Sequence, residues 1–191
     1  ISQEEYDYLK RYIVKPLHYV PPYFFNVAEN APGYDEREGI FFIGGFNHPP
    51  NREGMLSFLD NVYSGLHEKN IPLTVAGSKM PQGLYDYQEK FKLLTIRPDV
   101  SNEELEQLYA GTRIAIVPLR SGAGVKGKVI EAMAKGVPVV GTDIAFEGMP
   151  KGTDYLYKGA NSPEDMYNEI MSVYSSKQRW EELSAFGKQY I

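Results

Sequence analysis

From residue 40 onward, short apolar runs alternate with longer amphipathic stretches, and no other feature limits the fold of this chain so strongly. Ile40-Phe41-Phe42-Ile43 ends in Gly44-Gly45 and reads as a buried strand. Residues 52–69 then place Met55, Leu56, Phe58, Leu59, Val62 and Leu66 on one broad face, which predicts a helix. Leu73–Gly77 reads as a second strand, residues 83–91 as a helix and Leu93–Arg97 as a third strand. Ser101 with Glu104 three residues later forms a capping box that opens the next helix. Ile114–Leu119 is the fourth strand, with Pro118 placed where the ladder is ending. A glycine-rich loop and a helix to about Lys135 follow, and Gly136 is the expected helix stop. Pro138–Gly141 gives a fifth strand, and Tyr155-Leu156-Tyr157 is read as a sixth. Ser162-Pro163-Glu164-Asp165 has the cap, the proline and the acids of a helix start. The tail from Lys177 continues as a last helix.

Strand–helix alternation of this kind predicts an α/β fold, a doubly wound parallel sheet of Rossmann-like type with helices on both faces. Ligands of such sheets bind beyond the carboxyl ends of the strands, where the strand order reverses. The loops after the first, fourth and fifth strands are therefore the places to search. Residues 1–39 do not join the alternation. They read as a terminal helix near residues 3–12 and an irregular linker carrying Pro16, Pro21, Pro22 and Pro32.

A chain of 191 residues can bury a continuous core without staples, and it has no cysteine for a disulfide or a thiolate zinc site. Three scattered histidines, His18, His48 and His67, make no metal site, so none is expected. His18 and His67 read as structural or exposed, whereas His48 either touches a ligand or shapes its turn. A net charge of −5 argues against a nucleic-acid partner, which calls for a basic surface. The 15 tyrosines read as packing residues rather than a base-stacking platform. No apolar run is long enough to span a bilayer, and the acidic start Ile1–Glu5 opens no signal peptide, so a cytoplasmic location is expected. The first residue is not methionine, and a chain cut from something longer is expected.

Residues 121–131 (S-G-A-G-V-K-G-K-V-I-E) hold most of the chemistry. Gly122, Gly124 and Gly127 allow close backbone approach to a ligand. The helix that starts there offers unpaired N–H groups and a positive dipole end, which suit a phosphate or diphosphate. Lys126 and Lys128 add charge in a first turn where lysine is otherwise unfavourable. Glu131, on the same helix, can accept hydrogen bonds from a ribose diol. The run from Gly122 to Lys128 also fits G-x-x-x-x-G-K of a phosphate-binding NTPase loop. Val129 stands where that loop needs Ser or Thr, and the match follows the fourth strand rather than the first.

Taken together, residues 42–51 (F-I-G-G-F-N-H-P-P-N) and 121–140 (S-G-A-G-V-K-G-K-V-I-E-A-M-A-K-G-V-P-V-V) resemble the C-terminal domain of the family-4, group 1 glycosyltransferases. These are retaining, metal-independent enzymes of the two-domain GT-B fold. The resemblance covers roughly residues 40–190, with Ile144–Met149 continuing it. It implies that residues 1–39 are the end of an N-terminal domain with the interdomain linker, and that residues 40–191 are a nucleotide-sugar-binding domain.

The resemblance further implies roles for single residues. Glu131 matches the second glutamate of the family's E-x7-E motif, which binds the ribose hydroxyls. The first glutamate of that motif falls at Ala123, so the carboxylate usually assigned to the donor sugar is missing. Gly122, Ala123, Gly124, Val125 and Lys126 would line the sugar and diphosphate, with backbone N–H groups donating from Gly124 to Lys126. Gly44 and Gly45 would approach the diphosphate, with His48 in the same loop. The base would lie near Pro98, Asp99 and Val100. Members often carry Arg and Lys in the first loop, and here Gly45–Asn51 has neither. Lys126 or Lys128 is expected to supply that charge.

The function expected is transfer of a sugar, of hexosyltransferase type, from a nucleotide-diphosphate sugar that serves as donor substrate, without a further cofactor. An acceptor sugar, lipid or other small molecule would be held by the N-terminal domain, and the full-length protein could associate peripherally with a membrane. The 191 residues alone are expected to bind nucleotide weakly and to catalyse no transfer. Two other readings stay open: a non-catalytic nucleotide-binding or interaction module, and another GT-B enzyme such as a nucleotide-sugar epimerase.

Overall fold

The computed structural model describes residues 3–18, 25–149, 151–152 and 155–191. Helix α1 (Gln3–Leu9) and a short 3-10 turn (Tyr34–Glu36) precede the first strand, and the linker residues Pro21 and Pro22 lie outside the described residues. The elements then run β1 (Glu38–Ile43), α2 (Pro49–Asn61), α3 (Tyr63–Glu68), β2 (Leu73–Gly77), α4 (Gln82–Lys90) and β3 (Leu94–Pro98). They continue with α5 (Asn102–Gly111), β4 (Thr112–Val117), α6 (Gly127–Ala134), β5 (Val139–Gly141), α7 (Pro163–Ser175) and α8 (Lys177–Tyr190).

All strands are parallel, in the order β3-β2-β1-β4-β5, and helices cover both faces. The doubly wound sheet is thus the one that the alternation predicts. From β1 the chain moves outward through β2 to β3, then returns to place β4 on the other side of β1. The crossover reverses between β1 and β4, and the loops beyond Ile43 and Val117 open side by side there. Phe41, Phe42, Ile114, Ile116, Val139 and Val140 are buried, as fits strands covered on both faces.

Local signals set most boundaries. Ser101 Oγ accepts from the N–H of Glu104 at 3.2 Å, while Glu104 Oε2 accepts from the N–H of Ser101 at 2.8 Å. Ser162 and Asp165 repeat the box at α7. Gly136 takes φ +67°, its N–H donates to Met133 O at 3.0 Å, and Val137 N–H donates to Ala132 O at 2.9 Å. This is a Schellman stop for α6.

Two expectations are corrected. The single helix over residues 52–69 is two helices, broken at the β-branched Val62, whose φ of −124° leaves the helical region. Tyr155–Tyr157 forms no strand. Its aromatic rings are drawn into a cluster with Phe146, Phe186 and Tyr190, and Tyr157 Oη donates to Leu183 O at 3.2 Å. The segment packs against α8 instead of extending the sheet beyond the short β5.

Arg37, just before β1, is the largest fully buried side chain among the described residues. Its guanidinium donates to the carbonyls of Pro32, Tyr109, Thr112 and Lys135 at 2.8, 2.5, 3.0 and 3.0 Å. It thereby joins the last turn of α5, the start of β4 and the end of α6, and so fixes the two helices that carry the site.

Candidate functional site

At the end of β1 the ladder runs one residue further, with Gly44 N–H donating to Ala76 O at 3.1 Å. The backbones are so close here that a Cβ on Gly77, at φ +144°, would stand 1.8 Å from Gly44 O. A Cβ on Gly44 would meet Lys128 Nζ at 2.8 Å and the Asn51 carboxamide at 2.9 Å. Gly44 and Gly45 then lead to His48, which is the N-cap residue of α2 but is exposed and makes no side-chain cap bond.

The loop after β4 returns to the same corner. Gly122 and Gly124 take φ of +127° and +72°, in the region that favours glycine. Ala123 is exposed and Val125 is half-buried. Lys126 is the N-cap of α6, which has no side-chain cap and no acid in its first turn. No side chain closes the start of α6: Val129 N–H donates to the carbonyl of Lys126 at 2.9 Å, and the amides of Gly127 and Lys128 are left for another acceptor, whereas Ser101 and Ser162 close the starts of α5 and α7 with capping boxes.

The two lysines take different partners. Lys126 Nζ donates to Gly124 O and lies 3.3 Å from Glu147 Oε2. Lys128 reaches back over the face of Phe42, 4.2 Å from the ring centroid, and donates to Asn51 Oδ1 at 2.8 Å. Asn51 Nδ2 in turn donates to Gly45 O at 2.9 Å, so one carboxamide ties the first loop to α6. Loss of water pulls the Lys128 pKa down to about 7. The π face and the carboxamide oxygen favour the ammonium form, but desolvation outweighs them.

Glu131 lies one turn further along α6, half-buried, and accepts from Tyr109 Oη at 3.2 Å. Burial raises its pKa, while the tyrosine bond and Lys135 work the other way. Asp99 and Val100 sit beyond β3, at the far side of β2 from Gly44. Asp99, exposed and at φ +49°, donates its N–H to Gly77 O at 2.8 Å, which links this loop to the central corner through backbone alone.

The fold therefore brings Gly44, Gly45, Lys128 and the start of α6 together, with Glu131 one turn behind and Lys126 on the outer wall. His48 is in the first loop, and Asp99 and Val100 are two strands away from β1. Sequence reasoning gave no role to Asn51, Tyr109 and Glu147. Asn51 could have been found, because it stands four residues before Met55 on the face of α2 that is otherwise apolar. Among the described residues no three His, Asp or Glu side chains gather as a metal site, and no helix is long and apolar enough to cross a membrane.

Residues 37–176 match the family model described as Glycosyl transferases group 1. A 44.6 kDa uncharacterized protein in the cps region of Klebsiella pneumoniae is 31% identical over 163 residues, which are 78% of this chain and 39% of that protein. The structure of a mutant of S. aureus TarM in complex with fondaparinux, alpha-GlcNAc-glycerol and UDP superposes with a TM-score of 0.70 at 14% identity, covering 97% of this chain and 38% of that one. The pneumococcal O-GlcNAc transferase GtfA, in complex with UDP and GlcNAc, gives 0.62 at 11% identity, over 99% and 40% of the two chains. At these identities the structural likeness is one of fold. The chain spans about two fifths of the length of each of these relatives.

Proposed function

The chain belongs to the group 1 glycosyltransferases, and from that premise we propose that it is the donor-binding half of a retaining enzyme that transfers a sugar from a nucleotide-diphosphate sugar. The observation that carries this reading is the uncapped start of α6, set against Gly44 and Gly45 where the sheet order reverses. Charge develops on the departing diphosphate as the glycosidic bond breaks. Peptide N–H groups fixed in advance at a helix start stabilise that charge without reorganisation.

Of the two lysines, Lys128 is the better source of the cation. Lys126 is already paired with Glu147, whereas Lys128 Nζ has the neutral Asn51 as its hydrogen-bond partner, against Gly44. In this reading Glu131, whose carboxylate accepts from Tyr109 Oη, also accepts from the ribose hydroxyls, and the loop of Asp99 and Val100, tied by Asp99 N–H to Gly77 O, borders the base. The acceptor belongs to a second domain, and the fraction of the relatives' length that this chain spans supports that division. Titration of the chain with UDP, GDP and ADP tests the reading. One of them binds in the micromolar to millimolar range, and Lys128→Met weakens it at least tenfold. Failure of all three at millimolar concentration would leave the alternative that the domain binds no nucleotide.

A further inference from the structure

The glycine loop brings no carboxylate of its own to the ligand, because Ala123 is the exposed residue at its tip. One arrives from the other side. Glu147 follows the 3-10 turn Asp143–Phe146 beyond β5, and its Oε2 lies 3.3 Å from Lys126 Nζ. The same ammonium group donates to Gly124 O, so Lys126 clamps the Glu147 carboxylate against the loop beside Ala123. The backbone around Glu147 is anchored, since Phe146 and Met149 are 1% and 3% exposed and enter the core. The Glu147 side chain itself is 45% exposed. An ionised carboxylate offers about four lone-pair sites, and among the described residues Lys126 Nζ is the only group that donates to it. Beside it lies an open groove of about 470 Å³, bordered by Asp143, Ile144, Gly148, Met149 and Lys151. That volume falls within the range of small-molecule sites, about 300–1,000 Å³.

Building on the reading of α6 as the diphosphate site, we propose that Glu147, oriented by Lys126, accepts hydrogen bonds from hydroxyls of the donor's sugar, and that the groove beside it is the sugar subsite. The loop and α6 hold the diphosphate, and a sugar attached to it extends past Gly124 toward this wall. Sugar hydroxyls are donors in need of an acceptor, and Glu147 supplies one at the place where the loop's own side chain is a methyl group.

Calorimetric titration of the chain with UDP, GDP and ADP, and with UDP-glucose, UDP-N-acetylglucosamine, GDP-mannose and ADP-glucose, tests this. At least one conjugate binds more tightly than its bare diphosphate. Glu147→Gln and Glu147→Ala each remove that margin, with a loss of about tenfold for the conjugate and less than about twofold for the diphosphate. A margin that survives both substitutions overturns the proposal. So does an equal loss for both ligand types, which would mean that Glu147 acts only by bracing the loop, and so does a wild-type chain in which no conjugate gains over its diphosphate. A wild-type chain that binds no diphosphate at all brings down the α6 site itself, which separates the two failures.

Discussion

Lys128 Nζ and Asn51 Oδ1 lie 2.8 Å apart, over the ring of Phe42 and against Gly44. The pair joins the first turns of α2 and α6 across the point where the strand order reverses. An amine that titrates close to neutrality is thus held beside backbone that carries no side chains, with a neutral acceptor for its partner, and the charge of an arriving diphosphate would favour its ammonium form. A carboxylate in place of Asn51 would neutralise the lysine and repel a diphosphate. The carboxamide orients the lysine without pairing its charge.

Burial of Lys128 makes the stability of the domain depend on pH in a defined direction. Its pKa is about 7 in the folded chain, against 10.5 for an ordinary lysine. Between these values the unfolded chain binds the additional proton, so stability rises with pH across that window and the contribution is lost below it. The slope approaches about 1.4 kcal/mol per pH unit in the middle of the window. Urea denaturation at pH 6.5, 8.0 and 9.5 should show Lys128→Met more stable than the wild type at the lowest pH, with the gap closing as pH rises. Parallel curves would show that the lysine is not desolvated.

Gly77→Ala is expected to be among the most damaging single changes. The new Cβ would have to occupy space 1.8 Å from Gly44 O, at a φ of +144° that L residues rarely adopt. The displaced atom is backbone, so it cannot swing aside as a side chain could. A loss of at least about 3 kcal/mol follows from the clash and strain together. Because the strained neighbour is Gly44, nucleotide affinity should fall as well. A variant within about 1 kcal/mol of the wild type in thermal or urea unfolding would contradict this close approach.

The sheet was legible because its causes are local. Each strand is a short apolar run with a glycine or proline at its end, and Ser101, Ser162 and Gly136 carry their helix boundaries within three or four residues. Tyr155–Tyr157 misled because alternating aromatics look alike in a strand and in a cluster, and only the distant Phe186 and Tyr190 decide between them. The glycine loop and Glu131 could be read as a pattern. Their partners could not, since Asn51 is 77 residues from Lys128 and Tyr109 is 22 from Glu131. Tyr109 in particular reads as core, and its hydroxyl gains a role only once α5 and α6 lie side by side.

Arg37 is a test of how the site is held from behind. Its guanidinium donates to four carbonyls, and burial pulls its pKa down to about 10, so it remains charged at neutral pH. Lysine has three donors on a flexible stem and cannot span the four acceptors. Arg37→Lys should cost about 1–3 kcal/mol for each carbonyl left without a partner, and at least one of the four must be. Amide hydrogen exchange should show α5 and α6 losing protection first, because both end at Arg37. Loss spread evenly over β2 and β3 would count against this role.

Tyr109→Phe isolates one hydroxyl. The ring stays against Phe41, where the two meet edge to face at 5.3 Å, so packing is kept. What disappears is the bond from Tyr109 Oη to Glu131 Oε2. That bond is the largest of the influences holding the Glu131 pKa down against burial, so its removal moves the pKa further up. If Glu131 accepts from the ribose as a carboxylate, nucleotide affinity falls as pH drops through that pKa, and in the variant the fall begins at a higher pH. With the carboxylate no longer oriented by the hydroxyl, the variant should also bind the ribonucleoside diphosphate several-fold more weakly, while the 2′,3′-dideoxy analogue, which has no diol to offer, binds both proteins equally. Titrations of wild type, Tyr109→Phe and Glu131→Gln with the two ligands between pH 5 and 8 separate the cases. An effect in Glu131→Gln without one in Tyr109→Phe would keep the ribose contact and remove only its orientation by the tyrosine. Equal weakening of both ligands would mean that Tyr109 supports the fold of α6 rather than the carboxylate.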